Sequence, residues 1–501
     1  MTKSRTWQRT FALFLLCSSA VIGSAAQTVT TLASFEEFTT GEDPYFMSLT
    51  QGLDGNFYGT AQAGANLAGT VFKVSPSGTL STVYTFCAQT NCADGSLPFA
   101  GLLLATDGNF YGTTGEGGDG KYCSAGEGVP CGTVFRITPS GMLTTLYSFC
   151  AKAKCADGEL PSGGLVQATD GNFYGTTRSG GRGQYCLAAG APCGTVFKIT
   201  PDGALTTLYS FCGQPFCLDG AEPVGALIQA KDGSLYGTTY SGGAYGNGVV
   251  FKILRNGTFA TVHSLQFFEG ANPVAGVIQA TDGNFYGSAT QGGIHHDYGT
   301  VYKMTSTGTV RAHSFNGADG ITPYGALVQG TDGNFYGTTG EGGSGNGSSI
   351  ACNPPRGCGT LFRITSKGSL TSLYSFCLQA NCPDGAGPAG GLVQGTDGNF
   401  YGTTSAGGSN NNGTVFVLSV GLGPFVKTLP TSGKVGAPVI ILGTNLTGAS
   451  SVTFNGTPAT FTVVSSSEIT TAVPTGATSG TVQLTTASSV LLSNVRFQVR
   501  P

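Results

Sequence analysis

The chain has 501 residues, of which 10% are charged and 82 are glycine, and its formal net charge is −3. This length allows a large core and a second domain, and the absence of a basic stripe argues against nucleic acid as a partner. Abundant glycine with many Thr, Val and Phe residues is typical of short strands joined by tight turns. We therefore predict an all-β fold.

The first 26 residues have the pattern of a secretory signal peptide. A basic segment precedes the apolar run 11–22, which is too short to span a bilayer, and the small residues 24–26 offer a cleavage site. The alternative is a membrane anchor. We expect export to the cell surface or outside the cell, a mature start at Gln27, a net charge of −6 after loss of three basic residues, and no transmembrane segment.

Seven near-copies of the stretch 396–404, Thr-Asp-Gly-Asn-Phe-Tyr-Gly-Thr-Thr, recur at intervals of 50 to 65 residues. Their aspartates are Asp54, Asp107, Asp170, Asp232, Asp282, Asp332 and Asp397. The third copy divides into four strand-like segments, 164–168, 172–176, 194–199 and 205–211. Its Asp-Gly pairs supply the positive φ that tight hairpins require. Four antiparallel strands in each repeat predict the blades of a β-propeller.

The two ends of the repeat array predict that it closes. The seventh copy lacks its fourth segment, and residues 29–35 match the missing strand. Closure by this N-terminal strand would remove the open sheet edges, which promote aggregation. We predict a seven-bladed β-propeller over residues 27–421, with Phe110, Tyr111 and their equivalents packed between blades.

Two resemblances extend this prediction. The motif D-G-N-F-Y-G-T-T, followed by G-G and then G-T-V-F-K-I-T, resembles the GloVer tandem repeat of exported bacterial proteins and covers all seven copies. The resemblance implies a surface or secreted location and no known activity. Segments 430–433, 439–446 and 452–459 resemble an IPT/TIG module. This implies an immunoglobulin-like β-sandwich over residues 422–501 that serves as a spacer or docking unit.

Fourteen of the 15 cysteines lie after the predicted signal peptide, in close sequential pairs. They are Cys87/Cys92, Cys123/Cys131, Cys150/Cys155, Cys186/Cys193, Cys212/Cys217, Cys352/Cys358 and Cys377/Cys382. We predict seven local disulfides that pin loops, as expected for an exported protein. Zinc binding is the alternative, but the pairs stand alone in a chain with four histidines. No cofactor is expected, and structural calcium is left open without a motif.

Propeller topology places the second-to-third loops and the links between blades on one face, here called the loop face. It carries every cysteine pair and the insertions 117–130, 180–192 and 342–357. Because elaborated loops on a rigid scaffold favour binding, we take its aromatic residues as ligand-binding candidates, with packing over the blade rims as the alternative. These candidates are Tyr122, Tyr185, Phe216, Tyr240, Tyr245 and Tyr298.

A recurring acid in the setting D/E-G-x-x-P gives a second set of candidates, which could line the channel mouth and bind a cation. They are Asp94, Asp157, Asp219, Asp319 and Asp384, with Glu269 in the equivalent position. The alternative is that each carboxylate caps a turn by accepting backbone N–H groups.

Catalytic signatures are absent from the sequence. There is no P-loop, EF-hand loop, zincin helix or nucleophile elbow, and His295-His296-Asp297 lacks the spacing of a metal site. The sequence therefore predicts an exported, monomeric, non-catalytic binding or scaffold protein for a polysaccharide or a surface protein. The alternative is a secreted glycoside hydrolase or lyase with carboxylates at the channel mouth.

Overall fold

A computed structural model describes residues 27–36, 39–41, 43–45, 47–64, 67–123, 131–186, 193–308, 310–345, 352 and 356–500. These residues contain 38 β-strands, four short 3-10 turns and no α-helix, which confirms the predicted all-β class. The predicted signal peptide, 1–26, lies outside them. Within the described ranges, no helix has the length and hydropathy needed to cross a membrane.

The repeats form seven four-stranded antiparallel sheets, called sheets 1 to 7. The N-terminal strand is β1 (Thr28–Ser34). Sheet 1 consists of β2 (Thr50–Gln51), β3 (Phe57–Ala61), β4 (Thr70–Val74) and β5 (Leu80–Thr85). Sheet 2 consists of β6 (Leu103–Leu104), β7 (Phe110–Thr114), β8 (Thr133–Ile137) and β9 (Leu143–Ser148). Sheet 3 consists of β10 (Val166–Gln167), β11 (Phe173–Thr177), β12 (Thr195–Ile199) and β13 (Leu205–Ser210).

The remaining repeats follow the same order. Sheet 4 consists of β14 (Ile228–Gln229), β15 (Leu235–Thr238), β16 (Val249–Ile253) and β17 (Phe259–Ser264). Sheet 5 consists of β18 (Ile278–Gln279), β19 (Phe285–Ala289), β20 (Thr300–Met304) and β21 (Val310–Ser314). Sheet 6 consists of β22 (Val328–Gln329), β23 (Phe335–Thr339), β24 (Thr360–Ile364) and β25 (Leu370–Ser375). Sheet 7 consists of β26 (Val393–Gln394), β27 (Phe400–Thr404), β28 (Thr414–Ser419) and β1.

The expected pairing between the two ends of the repeat array is present. β1 runs antiparallel to β28, with Thr28 opposite Ser419 and Ser34 opposite Thr414. The first strand of the chain is therefore the fourth strand of the last sheet, so β28 is paired on both sides.

Each Asp-Gly turn is held by its own aspartate. Asp107 accepts hydrogen bonds from the backbone N–H of Asn109 at 3.1 Å, from its side-chain amide at 2.9 Å and from the Tyr111 hydroxyl at 2.9 Å. Gly108 has a φ of 80°, which glycine adopts without steric cost. These local bonds explain the fixed order of Asp, Gly, Asn and Tyr in six copies of the motif; in the fourth copy Ser234 replaces Asn and donates its backbone N–H to Asp232.

Aromatic rings pack between neighbouring sheets, as predicted for Phe110 and Tyr111. The tyrosine of one sheet contacts the phenylalanine of the next, with centroid separations between 3.9 and 4.3 Å. The pairs are Tyr58–Phe110, Tyr111–Phe173, Tyr236–Phe285, Tyr286–Phe335, Tyr336–Phe400 and Tyr401–Phe57. The last pair brings sheet 7 against sheet 1.

A glutamine at the end of the first strand links six of the seven sheets to the sheet before. Its Oε1 accepts the backbone N–H of the residue before the Asp-Gly turn of the preceding sheet. These links are Gln167–Thr106, Gln229–Thr169, Gln279–Lys231, Gln329–Thr281, Gln394–Thr331 and Gln51–Thr396. In sheet 2 the equivalent residue is Leu104, so sheets 1 and 2 lack this link.

The C-terminal region forms two further four-stranded sheets and a two-stranded parallel pair around its own core. One sheet has the order β29 (Lys427–Leu429), β31 (Pro438–Leu442), β35 (Glu468–Ala472), β34 (Phe461–Val463). The other has the order β33 (Thr457–Ala459), β32 (Ala449–Phe454), β36 (Val482–Thr486), β37 (Val490–Leu492). The pair is β30 (Ser432–Lys434) with β38 (Gln498–Arg500).

This C-terminal region packs on the end of the repeat sheets that carries the Asp-Gly turns, here called the turn face. Ser467 Oγ donates to the Leu53 carbonyl at 2.6 Å, and the Thr396 and Thr444 hydroxyls are 2.8 Å apart. Leu104, which replaces the linking glutamine, belongs to an apolar cluster with Leu442. The C-terminal region therefore covers the turns of sheets 1 and 7.

Candidate binding face

On the loop face, the link that leads into a sheet pairs with the loop between the second and third strands of that sheet. Isolated β-bridges join the two segments, for example Ser96 with Glu116 and Ala221 with Ser241. The remaining bridges of this kind are Glu159–Ser179, Ala271–Gln291, Ile321–Glu341 and Ala386–Ala406. Because the same connection recurs at six junctions, the links and the second-to-third loops lie at one end of the sheets, opposite the turn face.

Seven disulfides join the cysteine pairs that the sequence predicts, and all lie at the loop-face end of the sheets. In sheet 3, Cys193 packs against Cys212 and Cys217, so the disulfide of the loop braces the disulfide of the link. In sheet 6, the four sulfur atoms of Cys352, Cys358, Cys377 and Cys382 lie within 4.8 Å of one another. Parts of the three insertions, residues 124–130, 187–192, 346–351 and 353–355, lie outside the described residues.

Cys92 and Cys131 lie beneath the loop face, where their disulfides can pin loops as predicted. Their pairing with Cys87 and Cys123 is as predicted, but both residues are only 2% exposed and lie beneath the surface. Because the Cys92 carbonyl accepts the N–H groups of Gly95 and Gly118 at 2.8 and 2.9 Å, the chain folds over it. The Cys131 carbonyl accepts the Leu160 N–H at 3.1 Å. These two cysteines therefore support the loops from inside and cannot contact a ligand.

Most of the other disulfide residues are buried as well. In the described part of the chain, eight further cysteines are buried: Cys150, Cys193, Cys212, Cys217, Cys352, Cys358, Cys377 and Cys382. Cysteine packs as a small apolar residue, so half-cystines at the base of a loop join the core. The disulfides are structural, and the surface open to a ligand is formed by the side chains above them.

Three of the candidate acids are fully buried in the links: Asp94, Asp157 and Asp219. Asp157 accepts the Tyr147 hydroxyl at 2.8 Å and the backbone N–H groups of Ala151 and Lys152 at 3.0 and 3.1 Å. Burial, reinforced by the hydrogen bond to Asp157, raises the pKa of Tyr147. These are the contacts of a turn cap, which is the alternative that the sequence left open.

In two links a histidine takes the place of the tyrosine that donates to the acid. His263 Nε2 lies 2.8 Å from Glu269, and His313 Nε2 lies 3.2 Å from Asp319. Neither link contains a cysteine pair, whereas the Tyr–Asp links after sheets 1, 2, 3 and 6 each contain one.

The sixth candidate acid, Asp384, accepts the Tyr374 hydroxyl at 2.8 Å and the Cys377 N–H at 3.0 Å. Within the described residues, no hydrogen bond or ion pair joins two acids of this set. Each carboxylate is held inside its own link, and cation binding by the acids remains a prediction.

The candidate aromatic residues divide into two groups. Phe216, Tyr245 and Tyr122 are 89%, 58% and 48% exposed. Tyr185 is half-buried against the disulfide cluster of sheet 3, and Tyr298 is half-buried against the core between sheets 5 and 6.

Tyr240, the remaining candidate, is half-buried as well. Phe216 has a φ of 56°, a value close to those that Asn91 and Asn381 adopt in the equivalent links. A phenylalanine at that position is uncommon because the left-handed region favours Gly and Asn.

Other apolar side chains on the loop face were not among the candidates. Phe267, Phe268 and Ile294 are 51%, 54% and 73% exposed, and Leu67, Leu218 and Leu378 are exposed as well. In the described part of residues 27–421, nine of the ten exposed large apolar side chains lie on the loop face, and Met142 alone lies on the turn face. Their sequence signal was a large apolar residue in a loop where other repeats have small or polar ones.

The histidine cluster of sheet 5 does not assemble a metal site. His295 and His296 are exposed, and Asp297 accepts the backbone N–H of Gly292. The carboxylate therefore holds its own loop.

Sequence comparison identifies both parts of the chain. The Gloeobacter/Verrucomicrobia repeat matches residues 21–188, 121–351 and 229–460. The chain belongs to the Gloeobacter/Verrucomicrobia repeat family. An IPT/TIG domain matches residues 425–499 of this repeat protein, which confirms the second resemblance. A comparison with curated proteins gives no match.

Solved structures similar to this repeat protein have low sequence identity. The aldose sugar dehydrogenase of Streptomyces coelicolor in its PQQ-bound form is 12% identical, with 68% of this chain and 98% of that chain covered and a TM-score of 0.40. A Bacteroides thetaiotaomicron protein of unknown function is 12% identical, with coverages of 79% and 76% and a TM-score of 0.39. A puromycin hydrolase S511A mutant is 13% identical, with coverages of 69% and 47% and a TM-score of 0.40. At these TM-scores the likenesses carry no argument about fold or activity.

Proposed function

We propose that this repeat protein is an exported binding protein. Residues 27–421 form a seven-bladed β-propeller closed by β1, and residues 422–501 form an immunoglobulin-like domain. The pairing of β1 with β28 and the stacking of Tyr401 on Phe57 support the closed ring. Seven disulfides favour an oxidising compartment, and the family and the signal-like N-terminal sequence are consistent with export.

The distribution of exposed apolar side chains carries the proposal that the loop face binds. Soluble monomers rarely collect large apolar groups on one surface unless that surface has a partner. Nine of the ten such residues described in 27–421 lie on the loop face. The turn face is partly occupied by the C-terminal domain through Ser467 and Thr444. The loop face is therefore the end of the propeller left for a ligand.

The rings of Phe216 and Tyr245 suit two kinds of partner, a polysaccharide or another surface protein. Exposed aromatic rings stack on sugar faces, and they also serve as anchors at protein interfaces. Short staples such as Cys212–Cys217 hold the links that present these rings. The scaffold is rigid, so the entropy lost on binding is small.

The proposal is tested by applying residues 27–501 to an array of polysaccharides, scored for retention and for soluble products. The test variant combines Phe216→Ser with Tyr245→Ser, and Met142→Ser on the turn face is the matched control. Retention should fall about tenfold in the test variant, which corresponds to about 1.4 kcal/mol, and should not change in the control. Equal retention in all three proteins would remove the loop face as the binding surface. Release of products would replace the binding function with an enzymatic one, and silence on every polysaccharide would leave the surface-protein partner.

A further inference from the structure

We propose that the outer edge of sheet 5, strand β21 (Val310–Ser314), is a strand-addition site for an extended acidic segment of a partner protein. The segment would hydrogen-bond to the free backbone edge of β21. Its carboxylates would lie near Arg311 and His295. This site is on the rim of the repeat sheets and is separate from the aromatic residues Phe216 and Tyr245.

Sheet 5 differs from the other six sheets in the regularity of its fourth strand, which is called here the outer strand. The outer strands of sheets 1, 2, 3, 4, 6 and 7 all contain a register shift, for example at Val71/Phe72 in sheet 1. In sheet 5 the register runs without a break from Thr300 opposite Ser314 to Met304 opposite Val310. Bulges bend an edge and prevent another strand from pairing with it. β21 lacks that protection.

The difference comes from one missing residue. The segment from the turn glycine to the buried phenylalanine spans Gly78 to Phe86 in sheet 1, but Gly308 to Phe315 in sheet 5, which is one position shorter. In sheet 1 the extra residue is Val83, and its carbonyl would lie 2.5 Å from a Cβ added at Gly141 of sheet 2.

A Cβ added at Gly368, the equivalent glycine of sheet 6, would meet no atom within 4 Å, and the same holds at Gly257 of sheet 4, where the preceding outer strand keeps its register shift. The effect that distinguishes sheet 5 is therefore on its own strand: the missing residue removes the bulge and straightens β21.

The hydrogen-bonding pattern exposes alternate backbone groups of β21. Phe315 donates its N–H to the Gly299 carbonyl at 3.1 Å, which marks an inward-facing position next to β20. Because inward and outward positions alternate along an antiparallel strand, the N–H and C=O groups of Ser314, Ala312 and Val310 point away from β20. Ala312 is exposed. An added strand therefore finds donors and acceptors at every second residue.

A groove of about 630 Å³ runs beside this edge. Phe268, Ile294 and Val310 supply its apolar lining, and His295 and Arg311 supply basic groups. Glu269 also lines the groove, with its carboxylate 2.8 Å from His263 Nε2. In strand addition the backbone gives affinity, and pockets for alternate side chains give specificity. The groove can accept apolar side chains of an extended segment on the side facing sheet 4.

The charges around β21 favour an acidic occupant. Arg311 is exposed and forms no ion pair with any described residue, and His295 is exposed. The nearby carboxylates are engaged, since Glu269 contacts His263 and Asp319 contacts His313. The unbalanced groups at the edge are therefore basic.

A second copy of this chain fits the edge less well. An antiparallel pair of β21 strands centred on Ala312 would place Arg311 of one copy opposite His313 of the other. This pair would give Arg311 no carboxylate to contact, whereas an acidic segment would place one opposite it, so an acidic segment is the better occupant.

The test uses residues 27–501 and two labelled peptides of seven residues, one alternating Val and Glu and the other alternating Val and Lys. Affinity is read from fluorescence anisotropy. The wild-type protein should bind the Val/Glu peptide about tenfold more tightly than the Val/Lys peptide. Ala312→Pro removes an outward N–H without removing a bond to β20, and it should weaken binding of the Val/Glu peptide about tenfold. Arg311→Glu should reverse the preference, whereas Lys152→Glu, an exposed charge change in another link, should not.

Any result other than these overturns the proposal. Equal affinities for the two peptides, no binding of either, or an unchanged affinity in both Ala312→Pro and Arg311→Glu would exclude strand addition by an acidic segment. Self-association in sedimentation that disappears in Ala312→Pro would assign the edge to a second copy instead. The charge-reversal variant keeps the test decisive if the proline variant unfolds. Ala312→Pro should leave polysaccharide retention unchanged, which separates this result from the test of the loop face.

Discussion

The ring of Tyr401 stacks on the ring of Phe57 with the centroids 3.9 Å apart, although 344 positions separate the two residues in the sequence. The same kind of contact joins Tyr58 to Phe110 and recurs at four other junctions, whereas Tyr174 of sheet 3 meets Leu235 of sheet 4. The Phe57–Tyr401 contact is where the last repeat meets the first. Stability at this junction therefore reports on closure of the whole array.

Replacing Phe57 with alanine should destabilise the protein by about 3 to 5 kcal/mol, because a buried aromatic ring is lost and a cavity remains. Phe57 is 1% exposed, whereas Phe216 is 89% exposed. Phe216→Ala is the matched control and should change the free energy of unfolding by less than about 0.5 kcal/mol. Urea denaturation measures both. Similar values for the two variants would contradict a tightly packed junction between sheets 7 and 1.

Removal of residues 27–36 should expose the edge of β28 and lower the unfolding midpoint. The deleted segment contains β1 and Phe35, which is fully buried and packs edge-on against Phe72 at 4.9 Å. A synthetic peptide with the sequence of residues 27–36 should raise the midpoint again, because ligands that bind only the folded state stabilise it. A scrambled peptide is the control. An unchanged midpoint after the deletion would show that β1 is dispensable.

Loss of the Lys427 proton should make the stability of the protein change with pH in the alkaline range. Its Nζ donates to the Gln394 carbonyl at 2.6 Å, and burial lowers the pKa of Lys427 to about 8, with the charge of Asp397 opposing this shift. Between this value and the ordinary lysine pKa of 10.5, the unfolded chain holds a proton that the folded protein has released. The free energy of unfolding should therefore rise as the pH increases from about 8 to about 10.

The variant Lys427→Met isolates this contribution. It carries no titratable group at that position, so its stability profile should lack the rise attributed to Lys427. The difference between the wild-type and variant profiles removes the opposing effect of tyrosines such as Tyr401, whose pKa burial raises. Parallel profiles over this pH range would show that the ammonium is hydrated in the folded protein.

Asp219→Asn separates the capping role of the acids from cation binding. Asp219 is fully buried and accepts hydrogen bonds from the Tyr209 hydroxyl and from the N–H groups of Gly213 and Gln214. Loss of a carboxylate acceptor in this cluster should cost about 1 to 3 kcal/mol. Asp202→Asn, at an exposed turn, should have almost no effect.

Adding Ca²⁺ tests whether these acids bind a cation instead of only capping turns. If they only cap turns, adding Ca²⁺ should leave the melting temperature of the wild-type protein unchanged. A rise in melting temperature in the wild-type protein that is absent from Asp219→Asn would instead establish a cation site at this link.

The features that were predictable from the sequence are those determined within a single repeat. The Asp-Gly turns depend on contacts such as Asp107 with Asn109 and Tyr111, which lie two and four positions away. The disulfides close loops of five to eight residues, so sequential pairing was sufficient to predict them, although not the burial of Cys92 and Cys131. The acid of each link had two interpretations, because its tyrosine or histidine partner lies on the strand before the link, six or ten positions away.

Contacts between repeats were less accessible to prediction. The linking glutamines recur at a fixed position, so the exception at Leu104 was visible, but its packing against Leu442 depends on how two unlike folds meet. The straight edge of β21 had a signal in the short spacing from Gly308 to Phe315, yet its meaning required the register of the other sheets. Exposure of Phe267 likewise depends on three-dimensional packing.

Because β1 belongs to sheet 7, this sheet is the last of the repeat sheets that can be completed during synthesis of the chain. Thr28 is translated 391 residues before its partner Ser419, so sheet 7 cannot form until all the repeats have been synthesised. Until then β1 has no partner strand. For the export proposed above, this order means that sheet 7 is completed only after residue 419 has crossed the membrane.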